Sequence, residues 1–221
     1  DSLAARDNYP LEKSIVKTLR NCCGTYTAAI DPFKAAAPVH INHPKLCFSL
    51  KSEILYSSYT RENIDISGID EFFYPFFGLY IFKSRNFHLS VMAGGIGQNG
   101  VGGHSHNDKL SFELSLGERE VCRDPGTYLY TPMPALRNKF RSVKVHNAPQ
   151  VSKEEQCSFL DLFSMKAETE CSVVKLHRNN PAFYLTFRDV KILREFIILE
   201  DRLIIMDKSN KALSVNLFAD S

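Results

Sequence analysis

From about residue 72 onward the chain is written in short runs of β-branched and aromatic residues, alternating with polar positions and broken by Gly, Asn, Asp or Pro. Alternation with period two puts successive side chains on opposite faces of a strand, and at this spacing it predicts an antiparallel sheet protein. Candidate strands fall at 79–83, 87–92, 109–114, 120–123, 140–146, 159–167, 171–177, 182–189, 191–199, 202–207 and 212–218. So many short strands at this interval predict a sandwich. Arg188-Asp189-Val190 and Glu200-Asp201 read as hairpin turns, which makes the last third a meander. The final run stops abruptly, so truncation at this end is expected.

The first 70 residues follow a different pattern. Leu11, Ile15, Val16 and Leu19 recur at helical spacing and predict a short helix over 11–19, stopped by Cys22-Cys23-Gly24. Residues 31–44, with Pro32, Pro38 and Pro44, read as connector, and 46–59 turns mixed and strand-like. The expected fold is therefore mainly β: an antiparallel β-sandwich of about eleven strands with a short helical N-terminal extension. Its parts are a helical remnant and connector over 1–70 and the sandwich over 71–221.

Bulk composition removes several functions. With 221 residues and 44% hydrophobic content the chain can bury a full core. A net charge of +2 gives no global field for nucleic acid or an anionic membrane, so an anionic partner must be recognised locally. No apolar run approaches the roughly 18 residues of a membrane span. The chain opens Asp1-Ser2-Leu3, with neither an initiator Met nor a signal pattern, so a processed or cut start is expected and the compartment is not legible there. Six cysteines without a C-x-x-C pair, two of them neighbours, read as free thiols and not as a disulfide framework.

Candidate chemistry concentrates between Gly94 and Asn147. Glycines at 94, 95, 97, 100, 102 and 103 lead into His104-Ser105-His106-Asn107-Asp108. So many glycines weaken strand pairing and mark close approach or sharp turning. The match of 95–100 to G-x-G-x-x-G lacks the strand-turn-helix context of a nucleotide loop. In extended chain His104, His106 and Asp108 would share one face, and H-x-H is a metal half-site. Asp124 ends a strand immediately before Pro125-Gly126, where a turn can aim its carboxylate, and His146 closes the candidate strand 140–146. A hairpin turning near Gly117-Glu118 would pair Ser111 with Asp124 and leave His106 just beyond its open end, on the same side as Asp124. Arg137, Lys139, Arg141 and Lys144 form a basic cluster suited to carboxylate or sulfate, or else a charged strand edge. His40, His43, His88 and His177 have no comparable setting and read as surface or structural.

Gly102-Gly103-His104-Ser105-His106-Asn107-Asp108-Lys109-Leu110-Ser111-Phe112-Glu113, Asp124-Pro125-Gly126-Thr127-Tyr128-Leu129-Tyr130-Thr131, Arg137-Asn138-Lys139-Phe140-Arg141-Ser142 and His146-Asn147 form four ordered blocks. Together they resemble the signature of the heparinase II/III-like polysaccharide lyases, and the resemblance extends more weakly from about Phe72 to the end. It implies that His106, Asp124 and His146 are zinc ligands bracing the site, and that His104 is the catalytic base or the partner of a bound uronate. It implies an anionic, uronate-containing polysaccharide as substrate, for instance a glycosaminoglycan or alginate, and a periplasmic or secreted setting. The reaction implied is β-elimination, in which a base of near-neutral pKa removes the C5 proton and an acid protonates the leaving oxygen. Arg137 and Arg141 are the expected substrate contacts.

The family's large helical toroid, which supplies a catalytic Tyr and an Asn or His that neutralises the carboxylate, has no counterpart in this sequence. Tyr74, Tyr80, Tyr128 and Tyr130 do not match the toroid Tyr. The chain by itself is therefore expected to be inactive. The competing expectation is a non-catalytic carbohydrate-binding or polysaccharide-biosynthesis accessory domain that keeps the zinc fold. A cupin-like metal barrel would also use H-x-H, but the Asp-Pro-Gly-Thr-Tyr block has no place in it.

Overall fold

The computed structural model describes residues 26–30, 39–40, 47–60, 62–128, 131–152 and 154–215. Two antiparallel sheets carry most of them. The larger runs β1 (Tyr26–Ile30), β4 (Ser52–Tyr59), β16 (Arg202–Ser209), β15 (Val190–Ile198), β14 (Ala182–Phe187), β13 (Thr169–Lys175). The smaller is a meander in chain order: β5 (Asp70–Tyr74), β6 (Leu79–Ser84), β7 (Phe87–Met92), β8 (Phe112–Leu116) and β9 (Arg119–Cys122). Three short pairs complete the described strands: β2 (Val39–His40) with β3 (Cys47–Phe48), β10 (Pro149–Val151) with β17 (Leu213–Val215), and β11 (Phe159–Asp161) with β12 (Ser164–Met165).

The sheets face each other because alternate positions on each are apolar. On β16 Leu203 and Ile205 point inward between less buried neighbours, and on β7 Phe87, Leu89 and Val91 do the same. One core holds both sets together with Tyr56, Phe82, Leu114, Phe183 and Phe196. Aromatic pairs span the layers: Tyr80 lies 5.1 Å from Phe183, and Phe112 meets Phe196 edge-on at 5.6 Å. Such pairs add roughly 0.5–1.5 kcal/mol each beyond their burial. The core also encloses an ion pair. Arg194 of β15 and Asp207 of β16 are direct register partners with wholly buried side chains, and the Tyr56 hydroxyl donates to Asp207 at 2.9 Å.

The expected mainly β fold is present, with differences that have local causes. The predicted helix 11–19 lies outside the described residues. Residues 52–59, within the stretch 46–59 that reads as strand-like, form β4 and pair along their whole length with β16, so the larger sheet begins upstream of residue 71. The predicted strand 140–146 is instead α1 (Pro134–Arg141) followed by a 3-10 turn, Val143–Val145. Pro134 suits a first helical turn, and Arg137, Phe140 and Arg141 fall on one buried face at helical spacing. Two of the three residues on that face are arginines, so apolar patterning could not register it. The run 159–167 breaks into β11 and β12 because the Asp161 carboxylate accepts the Phe163 N–H at 2.6 Å and closes a turn.

One close approach locks the smaller sheet to the glycine-rich loop. Gly78, at φ 82°, sits so near Gly94 that a β-carbon added to it would lie 2.2 Å from the Gly94 Cα. The Ala93 N–H donates to the Gly78 carbonyl at 2.6 Å across the same contact. Among the described residues Cys122, Cys157 and Cys171 form no disulfide.

Candidate active site

β7 ends at Met92, β8 begins at Phe112, and the intervening loop folds over the outer face of the smaller sheet. The Met92 and Leu110 backbones bond to each other at 2.7 Å, closing the base of the loop. Leu110 turns the chain back toward β8 with a left-handed φ of 65°. The segment 104–108 is irregular, with a turn at His104 and a bend at Asn107, and is not the extended run considered from alternation. His104, His106 and Asp108 nevertheless reach the same place, because the turns bring all three to one pocket of about 710 Å³. Asp124, Lys109, Ser111 and Glu113 share that pocket, and Phe76, Phe77, Leu79, Met92 and Ile96 form its apolar wall.

The β8–β9 hairpin turns at Gly117-Glu118 as expected, with Leu116 opposite Arg119. A bulge between Leu114 and Ser115 then shifts the register by one, setting Leu114 opposite Cys122. Asp124 therefore falls one residue away from the expected partner Ser111, and its N–H is taken by the Glu113 carboxylate at 3.2 Å. Asp124 Oδ1 accepts the Gly126 N–H at 2.8 Å, so the Pro-Gly turn does aim this carboxylate.

His146 is 1% exposed, and its Nδ1 lies 2.7 Å from Asp124 Oδ2. Burial would raise the Asp124 carboxyl, but His146 and the Gly126 N–H bring it down to about 2. An ionised Asp124 requires Nδ1 of His146 to carry the proton and donate. Burial works against charge on His146, yet Asp124 and then Asp108 raise its pKa. The ring of His106 stands 5.4 Å from that of His146. Burial first, and His146 second, lower His106 to about 4, which leaves it neutral with a lone pair available. His104, by contrast, is exposed on the pocket wall.

The three expected zinc ligands are thus neighbours. Among the described residues, however, no group of three or more His, Cys, Asp or Glu is arranged to hold a metal ion. Asp124 and Nδ1 of His146 bond to each other in this geometry. The donor set still fits zinc chemically, with two imidazoles and an ionised carboxylate. Nε2 of His146, on the far side of the ring from Asp124, is buried without any hydrogen-bond partner.

Arg137 and Arg141, expected as substrate contacts, are buried at 1% and 0% exposure. Arg137 donates to the Leu162 carbonyl and the Gly103 carbonyl, each at 2.8 Å. Arg141 donates to the carbonyls of Ser105, Asp161 and Leu162 at 2.9–3.1 Å. Their forks tie the histidine loop to the β11–β12 turn and do not line the pocket. Burial, then Arg137, pulls Arg141 down to about 10. Helical spacing turned both side chains inward, which a strand reading could not anticipate. Tyr128 stacks on Phe140 at 5.4 Å, and Tyr80 is buried in the core, so neither offers a hydroxyl to the pocket.

Three side-chain amides that the sequence reading passed over hold the site in shape. Each grips both the N–H and the carbonyl of one residue, standing in for a neighbouring strand. Asn107 clasps Cys157 at 2.8 and 2.9 Å, Gln156 clasps Lys109 at 2.9 and 2.9 Å, and Asn147 clasps Phe112 at 2.9 and 2.6 Å. Glu155 adds a bond to the Asn107 amide at 2.8 Å and another to the Val143 N–H at 2.9 Å, joining the histidine loop to the turn before His146. The only signal in the sequence was a polar run, Glu154-Glu155-Gln156, placed against the buried Cys157.

A family model described as Heparinase II/III-like, C-terminal matches residues 68–217, about two thirds of the chain and all of the site. No curated protein matches the chain. Among the described residues no helix is long and apolar enough to cross a membrane.

Proposed function

Because the chain belongs to the heparinase II/III-like family through its C-terminal domain, we propose that it forms the β-sheet wall of a polysaccharide lyase site acting on a uronate-containing glycan. The observation that carries this reading is the sharing of one pocket by exposed His104 with His106 and Asp124. β-Elimination needs a base that reaches the C5 proton, and His104 is the pocket imidazole not enclosed by the Asp124 cluster.

His106, Asp124 and His146 would hold zinc. A bound zinc would supply a fixed dication that braces the two loops. The chain's own groups do the remaining work. Lys109 is 2% exposed, donates to the His106 carbonyl at 2.9 Å and pairs with Asp108 at 2.7 Å, which fixes the loop carrying the imidazoles. The apolar wall formed by Phe76, Phe77 and Leu79 lets a sugar ring lie with its C–H face on the protein and its polar edge toward His104. Arg137 and Arg141 act by positioning. The acid for the leaving oxygen and the group that neutralises the substrate carboxylate would come from the helical part that the family resemblance implies, and the β part alone is inactive.

The test is product formation by the parent protein. Incubation of protein carrying both parts with alginate, heparin or another uronate polymer should release unsaturated uronate, detected by its ultraviolet absorbance, and His104→Ala should abolish release. Absence of product with every such polymer would overturn the lyase reading, and retained glycan binding in that case would favour the accessory-domain alternative.

A further inference from the structure

One side chain joins the charged core of the sandwich to both halves of the site. Arg194 projects from β15 into the space between the sheets and is wholly buried. Its Nε and Nη2 take the two oxygens of Asp207, each at 2.7 Å, and Nη2 also meets the Tyr56 hydroxyl at 2.5 Å. Those bonds fix the plane of the guanidinium. The remaining nitrogen, Nη1, leaves the larger sheet altogether and donates to two carbonyls, Leu110 at 2.5 Å and Asn147 at 2.8 Å.

Both carbonyls belong to the site. Leu110 ends the loop that carries His104, His106 and Asp108, and its left-handed φ of 65° is one that a leucine adopts only when its surroundings enforce it. Asn147 directly follows His146. A single nitrogen therefore spans the segment delivering His106 and the segment delivering His146. We propose that Arg194 is a positioning residue that sets the separation of these two histidines, with Asp207 and Tyr56 holding its fork in plane. The proposal rests on the reading of His106 and His146 as site residues. An ammonium could neutralise Asp207 but has no rigid fork with which to serve the pair and the two carbonyls in one plane.

A purely structural ion pair would make a different prediction. Replacing a buried pair by apolar residues of similar size is often neutral for stability, whereas the bridge to Leu110 and Asn147 would be lost. The experiment is amide hydrogen exchange on the metal-free full chain carrying Arg194→Met with Asp207→Leu, alongside zinc affinity by chelator competition. The expected result is roughly tenfold faster exchange in 106–112 and 146–149, the factor set by losing one hydrogen bond to a charged group, with 182–209 protected as in the parent. Zinc affinity should fall by a similar factor. Unchanged exchange in both segments, or acceleration spread evenly through the larger sheet, would overturn the proposal. Should the double variant not fold, Arg194→Lys keeps a charge against Asp207, and the same local acceleration is expected. Wild-type exchange in the two segments of that variant would overturn it equally. Failure of the unmodified chain to bind zinc would instead remove the metal reading, and the exchange result would still decide the role of Arg194.

Discussion

His146 donates a hydrogen bond from Nδ1 to the Asp124 carboxylate across 2.7 Å, and its Nε2 is buried with nothing to bond. The two halves of one ring are thus in opposite states: one is held by an ionised carboxylate, and the other is desolvated and unsatisfied. A carboxylate hydrogen-bonded to one ring nitrogen fixes the tautomer and leaves the other nitrogen as the acceptor.

For zinc, His106→Ala and His146→Ala should each lose the ion, whereas His104→Ala should retain it. Metal analysis of the purified full chain reads this directly, with close to one zinc per chain expected before substitution. Stoichiometric zinc in a variant carrying both His106→Ala and Asp124→Ala would remove these residues as ligands.

Arg137→Ala should destabilise the fold even though the residue lies near the site. It removes the guanidinium donor to the Gly103 carbonyl and one of the two arginine donors to the Leu162 carbonyl, so a loss of about 1–3 kcal/mol is expected. Arg137→Lys should recover little, because one ammonium cannot reproduce the fork. Urea unfolding monitored by circular dichroism checks both, and a stability equal to the parent for Arg137→Ala would restore this residue as a candidate substrate contact.

Two neighbouring glycines should respond differently to alanine. Gly78→Ala meets the Gly94 backbone at 2.2 Å from a positive φ, so a loss well above 1 kcal/mol is expected, about the upper end of ordinary glycine replacements. Gly95→Ala meets nothing within 4 Å and should change stability by less than about 0.5 kcal/mol. A comparison of melting temperatures decides it.

Glu168 supplies a pH signature. The Ser158 hydroxyl and, against burial, Lys166 hold its carboxyl down to about 2, below the ordinary value of 4.5. A carboxyl with a depressed folded-state pKa stabilises the fold above its unfolded value, and this contribution disappears as pH falls from 4.5 toward 2. Glu168→Gln should therefore flatten the acid limb of stability in that window and lower stability at neutral pH by roughly 1 kcal/mol or less, since the group is close to solvent. Urea titrations at several pH values test this, and an unchanged acid limb would count against it.

Cys171 should be slow to alkylate. Burial is the main reason its thiol is pushed up to about 12, so the reactive thiolate is scarce at neutral pH. Iodoacetamide labelling followed by mass spectrometry should find Cys171 unmodified in the folded chain and modified after denaturation. Rapid labelling of the native protein would contradict that environment.

The amino-acid sequence by itself determined the meander strands from β6 to β9, but not β5, and pointed to a block of candidate site residues. Strand 87–92 was legible because period-two alternation is a property of adjacent residues, and Gly117-Glu118 was legible as a turn for the same local reason. His104, His106 and Asp124 stood out through the four ordered blocks that resemble the family signature, since as isolated letters they read more readily as surface or structural residues. What only the tertiary structure decided depends on partners far away in the chain. The helix 134–141 hides its inward face behind two arginines whose carbonyl partners lie in other segments, so no pattern of apolar residues could reveal it. The one-residue bulge that displaces Asp124 leaves no mark in composition. Likewise Asn107, Asn147, Gln156 and Arg194 look like surface polar residues until the fold supplies the backbone groups that they grip, because a buried polar side chain is explained by the partner it meets and not by its own neighbours.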